Sequence, residues 1–406
     1  VFAIVLAILI LLLGLSGYLL YGALHVPTTV ATGDKPVETR GIIWVRSIYG
    51  TSNNLQDLFG QTQVAVPSSD GTIWVTDVTH QSTIMRFNPD GQFLGLFKSL
   101  DASAPISAPS RIAIGPDQRV YICETALDQI LVLKPNGELS QKISVPQPVS
   151  VAVSQDRIAV GSVSGFAVLD MNGKPIGVIG TRGKGPDQFD YVHGIAFGPD
   201  GAIFVTDSYN NRIRAYEPDG KPRWTIRTGA ASNSAALSNN MLSSTPTSDT
   251  VLKGSDALQL PLGLTVDGAG RVVVVDMYDC SLAVFNPKTG KLIAKYGEVG
   301  AEDGQFFYPV SVGYDPGRDW FTVADALNRR VEIVRIPGSS AGAASTTASV
   351  SRALASPLRA CLFPLLILLL AIVTYIVVRF VRRRRPAKQP TDPGSDDEPA
   401  FDTGSE

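Results

Sequence analysis

Residues 183–220 read GKGPDQFDYVHGIAFGPDGAIFVTDSYNNRIRAYEPDG. A short apolar run from Ile195 to Phe197 meets a Pro-Asp-Gly turn at Pro199 to Gly201, and a second apolar run, Ile203 to Asp207, ends on a carboxylate. A polar loop follows, then an alternating segment from Arg212 to Tyr216 and another Pro-Asp-Gly. Apolar runs of this length bounded by turn residues predict strands, and strand, turn, strand, loop, strand, turn is an antiparallel meander.

The same order recurs on both sides of this stretch. Val64 to Val66 leads into residues 71–91, Ile112 to Ile114 into 119–137, and Val151 to Val153 into 157–173. Downstream, Leu264 to Val266 leads into 271–290 and Val312 to Tyr314 into 319–336. Most of these copies start about 40 to 47 residues apart, the period of a four-stranded propeller blade. After Ile336 the sixth copy runs into Pro337, Gly338 and small residues without a fourth strand. The segment GIIWVRSIY at 41–49 ends in Tyr49-Gly50, as KLIAKYG at 291–297 ends in Tyr296-Gly297. It is therefore expected to complete the last blade and seal the ring by a non-local pairing, which leaves few exposed edges.

These residues resemble the NHL-repeat family of six-bladed propellers. The family pattern is a Gly-x-Gly-x-x-x-Gln-Phe lead-in, Pro-x-Gly-Ile-Ala-Val, Asp-Gly-x-Ile-Tyr-Val-Ala-Asp, then Asn-x-Arg-Ile. The fourth copy matches it strongly, the first, fifth and sixth well, and the second and third are degenerate, with Glu124 and Gly161 in the Asp slot. The resemblance covers about residues 40–336 and is specific for fold rather than activity, because propellers host unrelated functions.

Outside the repeats, the chain is apolar at both ends. Val1 to Tyr21 is uncharged and long enough to cross a hydrocarbon core of about 30 Å. It is read as an uncleaved anchor rather than a signal peptide, since Tyr21 stands where an A-x-A-like site before Ala23 would need a small residue. Val1 in place of Met implies that a start precedes this sequence. Cys361 to Val378 is a second uncharged run, followed by Arg379, Arg382, Arg383, Arg384 and Arg385, which puts the C-terminus in the cytoplasm and everything between the spans outside. The expected organisation is a transmembrane helix at 1–22, a linker at 23–40, an all-β six-bladed propeller at 41–336, a Ser/Ala/Gly-rich linker at 337–357, a second transmembrane helix at 358–380, and a basic then acidic disordered tail at 381–406. Whole-chain composition agrees: 44% hydrophobic and 18% charged residues, 38 Gly, 27 Pro, three Cys and a formal charge of -2. That balance excludes a disordered polyanion, a coiled coil and a disulfide scaffold, and it argues against nucleic acid as a partner.

The fourth and fifth copies are separated by about 70 residues, the surplus being a polar, small-residue stretch at 229–256 that reads as a flexible loop. Propeller geometry, carried over from the family, puts this insertion on the top face with the loops between second and third strands. Both chain exits, before Gly41 and after Ile336, then fall on the bottom face, which is expected to look toward the bilayer. The candidate binding residues on the top are His80, Gln81, His193, Tyr209, Asn210, Asn211, Tyr278, Asp279, Asn328 and Arg329.

Chemistry is sparse. Some relatives with NHL or gluconolactonase-type propellers are metal-dependent, but a metal site needs convergent His or carboxylate ligands. Of three His, His25 lies beside the first span and His80 in a loop, which leaves His193; its equivalents are Thr62, Ser110, Val149, Leu262 and Val310. The recurring Asp77, Asp207, Asp276 and Asp325 are read as fixing nearby loops by accepting N–H groups. Cys123 reads as core, Cys280 has no His nearby in sequence, and Cys361 falls in the second span. No catalytic residue and no cofactor is therefore assigned, a channel-bound Ca or Zn ion being the one that the family allows. The expected function is a membrane-anchored extracytoplasmic scaffold or sensor that binds another membrane or envelope protein, a peptide or a glycan, with a metal-dependent lyase or lactone/ester hydrolase as the alternative. The layout is similar to the sensor domain of bacterial receptor-type Ser/Thr kinases, with a cytosolic tail too short to be a kinase.

Overall fold

The computed structural model describes residues 30–32, 38–39, 41–77, 83–107, 109–227 and 249–340. The segments expected to span a membrane, 1–22 and 358–380, lie outside these residues, as does the tail. No helix among the described residues is long and apolar enough to cross a membrane.

Six antiparallel sheets form six blades. Blade 1 comprises Thr62–Pro67, Ile73–Asp77, Ile84–Phe87 and Phe93–Phe97; blade 2 Arg111–Ile114, Val120–Glu124, Gln129–Leu133 and Leu139–Ser144; blade 3 Pro148–Val153, Arg157–Ser162, Gly165–Asp170 and Pro175–Ile179. Blade 4 comprises Gly194–Phe197, Ile203–Asp207, Arg212–Tyr216 and Pro222–Arg227; blade 5 Pro261–Val266, Val272–Asp276, Ser281–Phe285 and Leu292–Tyr296. Blade 6 takes Pro309–Asp315, Trp320–Asp325 and Arg330–Arg335 from the C-terminal side and Ile42–Ile48 from the N-terminal side. The closing pairing is antiparallel, with Ile48 opposite Val331 and Ile43 opposite Arg335.

Stacking explains why second strands such as IFVTD and VVVVD read as unbroken apolar runs although the sheets are antiparallel. Each second and third strand is covered on both faces by neighbouring blades, so both sets of side chains are buried, whereas outer strands such as Pro175–Ile179 stay largely exposed. The core is accordingly divided into six apolar clusters, one at each blade interface. Phe204, Trp224 and Phe285 pack between blades 4 and 5, and Ile48, Val331, Val75 and Met85 seal blade 6 against blade 1. Where inner strands converge there is no room for a side chain. A Cβ on Gly194 would stand 2.6 Å from the Leu262 carbonyl oxygen, and one on Gly263 would stand 2.8 Å from the Ser311 Cα.

One expectation needs correction. The tail of the 229–256 insertion is ordered: Asp249–Val251 adds a parallel fifth strand to blade 4, with Thr225 opposite Asp249, and Leu252 and Leu258 join the core between blades 4 and 5. The sequence hides this because two leucines among Ser, Thr and Asn show no period. The exits before Gly41 and after Ile336 do leave blade 6 at one end, with Ile43 opposite Arg335, but the segment upstream does not stay there. Ile336 leaves at the end opposite the loops between second and third strands, but upstream of Gly41 the chain forms a hairpin, Glu38–Thr39 against Ile42–Ile43, and continues until Val30 lies opposite Ile48. The N-terminal segment thus returns along the blade edge toward the other end.

Candidate functional site

At the top face five of the six blades are held by one repeated device; blade 3, with Gly161 in the slot, lacks it. The carboxylate that ends the second strand accepts hydrogen bonds from the loop leading into the inner strand of the same blade. Asp77 accepts from the Gly60 and Gln61 amides, Asp207 from Asp190, Asp276 from Gln259 and Leu260, and Asp325 from Phe307. Glu124 does the same in blade 2, accepting from Ser107 at 3.0 Å, so the degenerate copy keeps the function of the slot. This is the loop-fixing role read from the sequence.

Blades 4 and 6 enlarge the device into a buried clamp. Arg212 donates through Nε and Nη2 to Asp207 and through Nη1 and Nη2 to the Gly185 and Gln188 carbonyls, while Asn210 bridges Asp207 and the Gly183 carbonyl. Blade 6 repeats it with Arg330, Asp325, Asn328 and the carbonyls of Gly300, Ala301, Glu302 and Gln305. There Glu332 adds a second carboxylate, 2.9 Å from Arg330 Nη2. Burial, with Asp325 and Asp303 nearby, pushes Glu332 up to about 8 against the pull of Arg330. Burial also raises Asp325, to about 6, despite the same guanidinium.

Several residues expected to bind a partner therefore serve the scaffold. Asn210 and Asn328 belong to the clamps, Arg329 donates to the Phe59 carbonyl at 2.9 Å, and Asp279 is paired with Lys295 at 2.5 Å and accepts from Ser281. Asn211 and Arg329 take left-handed backbone, as do Asp128 and Cys280 at the same place in blades 2 and 5, which closes the turn between second and third strands. His80 and Gln81 lie outside the described residues. Cys123 and Cys280 are buried free thiols, and burial raises both.

Tyr209 and Tyr278 keep about half of their surface exposed. They occupy equivalent positions in the turns of blades 4 and 5 and are 54% and 53% exposed; Leu327, their counterpart in blade 6, is 45% exposed, and in the turn of blade 2 Leu127, one position further on, is 50% exposed. Aromatic neighbours extend this set. Tyr191 lies 5.3 Å from Tyr209, and Tyr308 lies 5.6 Å from Tyr278 and 5.2 Å from Phe307. Tyr191 and Tyr308 both adopt positive φ, a conformation that costs a non-glycine residue and turns these lead-in loops sharply at the mouth.

Beneath the mouth a channel cavity of about 260 Å³ is lined by inner strands of all six blades. Its wall is mostly Val, Ile, Ala, Leu and Gly; among the lining residues Arg111 and His193 are the only Arg, Lys, His, Asp or Glu. His193 stacks on Tyr191 at 4.3 Å and meets Tyr209 edge-on, and its buried Nδ1 has no hydrogen-bond partner among the described residues. Burial first, and then the charge of Arg111, push its pKa down to about 3, so the imidazole is neutral at physiological pH. Arg111 donates Nη1 to the Gln63 and Ser110 carbonyls at 3.2 and 3.3 Å and Nη2 to the Val310 carbonyl at 3.5 Å. Sequence reading passed over it. The clue was one position further on: the slot after His193's equivalents holds Gln63, Arg111, Ser150, Gly194, Gly263 and Ser311, and only one of these is charged. Among the described residues no group of three His, Cys, Asp or Glu is placed to hold a metal ion. The donors in the channel do not fit the Ca or Zn site that the resemblance allows.

Comparison with known proteins bears on the repeat. The family model described as NHL repeat matches residues 189–216, the second and third strands of blade 4 and the segment leading to them. No curated protein sequence matches the chain. Among solved structures it is similar to virginiamycin B lyase from Staphylococcus aureus, at 12% identity and TM-score 0.45 over 76% of this chain and 98% of the other. A catalytically inactive variant of that lyase with quinupristin aligns at 14% identity and TM-score 0.47, over 76% and 94%. A streptogramin B lyase aligns at 12% and 0.44, over 76% and 93%.

Proposed function

We propose that this propeller is a membrane-anchored, extracytoplasmic binding module that captures a protein, peptide or glycan on its top face. The observation behind the proposal is the set of large exposed side chains in the top-face turns: Tyr209, Tyr278 and Leu327 at one repeated position in blades 4, 5 and 6, and Leu127 in the turn of blade 2. Buried carboxylates fix the loops beneath, so these side chains form a preorganised surface, and such surfaces lose little entropy on binding. Tyr supplies large, rigid contact area of the kind that dominates interfaces. The anchoring rests on the uncharged runs at 1–22 and 358–380 and on the arginines that follow the second.

The test is photocrosslinking in intact cells from a probe at Leu327, on the same face, with identification of what is caught. The expected result is one recurrent partner whose yield falls roughly tenfold in a Tyr209→Ala, Tyr278→Ala chain, as loss of about 1.4 kcal/mol would give. The same substitutions are expected to shift unfolding stability by about 0.5 kcal/mol or less, because both rings are half exposed. Crosslinks unchanged by the substitutions would overturn the top-face assignment. One tightly bound Zn or Ca per purified chain would overturn the binding-only reading in favour of a metal-dependent lyase or hydrolase.

A further inference from the structure

From the channel mouth we infer that the module takes a carboxylate, seated on Arg111 beside His193, whose attached apolar or aromatic group lies against Tyr191 and Tyr209. The inference rests on the binding reading above and specifies the ligand's chemistry at the centre of that face.

Arg111 uses three donor contacts, all to backbone carbonyls of residues at the inner strands of blades 1, 2 and 6. None goes to a carboxylate, and no Asp or Glu lines the cavity among the described residues. Among the described residues its Nε–H and one Nη2–H have no hydrogen-bond partner. These form the side-on edge of the guanidinium, the edge through which Arg212 holds Asp207 in the clamp of blade 4. An arginine held by carbonyls in an apolar wall is costly to bury without an anion, and an incoming carboxylate supplies two coplanar acceptors to that edge. Beside it, His193 Nδ1 stands unpartnered among the described residues, available to the same ligand as donor or acceptor according to its tautomer.

Charge selects the anion. With a single cation in the cavity wall and a neutral imidazole beside it, a monoanion is balanced, whereas a phosphate ester at close to two negative charges would keep one unpaired in an apolar channel. Tyr191, 4.3 Å from His193, and Tyr209 then form a wall for the group next to the carboxylate.

The experiment is equilibrium titration of the purified full-length chain with N-acetyl-L-phenylalanine, its neutral amide, glucuronate and phenyl phosphate. The expected result is saturable binding of at least one carboxylate in the millimolar range, with the neutral amide of N-acetyl-L-phenylalanine and phenyl phosphate roughly 10- to 100-fold weaker. N-acetyl-L-phenylalanine alone assigns a peptide C-terminus, and glucuronate alone a uronic sugar. Arg111→Met is expected to abolish the preference for acid over amide, and Arg111→Lys to keep part of it. Because acid and amide are compared on the wild-type chain, the test survives a variant that fails to fold. Equal binding of acid and amide, tighter binding of phenyl phosphate, or no binding by either carboxylate overturns the inference. If that happens while Tyr209 and Tyr278 still capture a partner, the binding module stands and only the carboxylate seat is lost.

Discussion

Arg212 and Arg111 stand two blades apart in the ring, and they are buried in opposite ways. Arg212 closes on Asp207 and two loop carbonyls, a set repeated almost atom for atom by Arg330 in blade 6. Arg111 has carbonyls alone and an open edge on the channel. A third arginine, Arg214, shows another solution, lying 4.6 Å over the ring of Phe189. A cation completed by its own chain belongs to the scaffold, and one left incomplete beside a cavity is available to something else.

The largest expected effect tests that distinction. Arg212→Met leaves Asp207 buried without its counter-ion and should cost about 3–5 kcal/mol in urea unfolding. Arg111→Met strands no carboxylate and should cost about 1 kcal/mol or less, by loss of carbonyl hydrogen bonds. Equal losses would erase the difference between the two sites.

Titration separates the regions further, and in opposite directions. Glu332, pushed from 4.5 up to about 8, keeps its proton in the folded chain where the unfolded chain has released it. Wild-type stability should therefore fall as pH rises from about 4.5 to about 8, by on the order of a few kcal/mol, and Glu332→Gln should flatten the part between about 6 and 8, Asp325 contributing below that. His193, pushed from 6.5 down to about 3, resists protonation while the unfolded chain accepts it. Stability should fall as pH drops from about 6.5 toward 3, and His193→Gln should flatten that arm. The smallest expected effect is on His193 itself: in Arg111→Met the imidazole should titrate at higher pH than in wild type, by NMR, since one of the two causes holding it down is removed.

The blades were legible because their signals are local. Apolar runs, Pro-Asp-Gly turns and the Asp slot recur at a fixed period, and the need to close the ring identified Ile42–Ile48 as the missing strand. The strand at Asp249–Val251 was not legible, since it is stabilised by pairing with Pro222–Arg227 and by two leucines reaching a neighbour's core, with no pattern of its own. The site divides the same way. The exposure of Tyr209 and Tyr278 was legible because they stand at loop positions that the repeat marks as exposed. Asn210, Asn328 and Arg329 stand in the same loops, but only coordinates show their side chains turned back to carbonyls. Arg111 escaped notice because it begins a strand, where a charged residue has no local signature and gains its meaning from five other strands.

The closure of blade 6 also bears on how the molecule is made. Ser47 and Glu332, which face each other across the seam, are 285 residues apart, so the first propeller strand synthesised must wait for nearly the last before it joins its blade. Until then the edge of Ile42–Ile48 that meets Arg330–Arg335 is open, and blade 6 lacks the pairing to its outer strand. The slow step of folding is thus a search between the two ends of the propeller, and a nascent chain halted before Arg330 would expose an open seam to chaperones, proteases and other copies of itself.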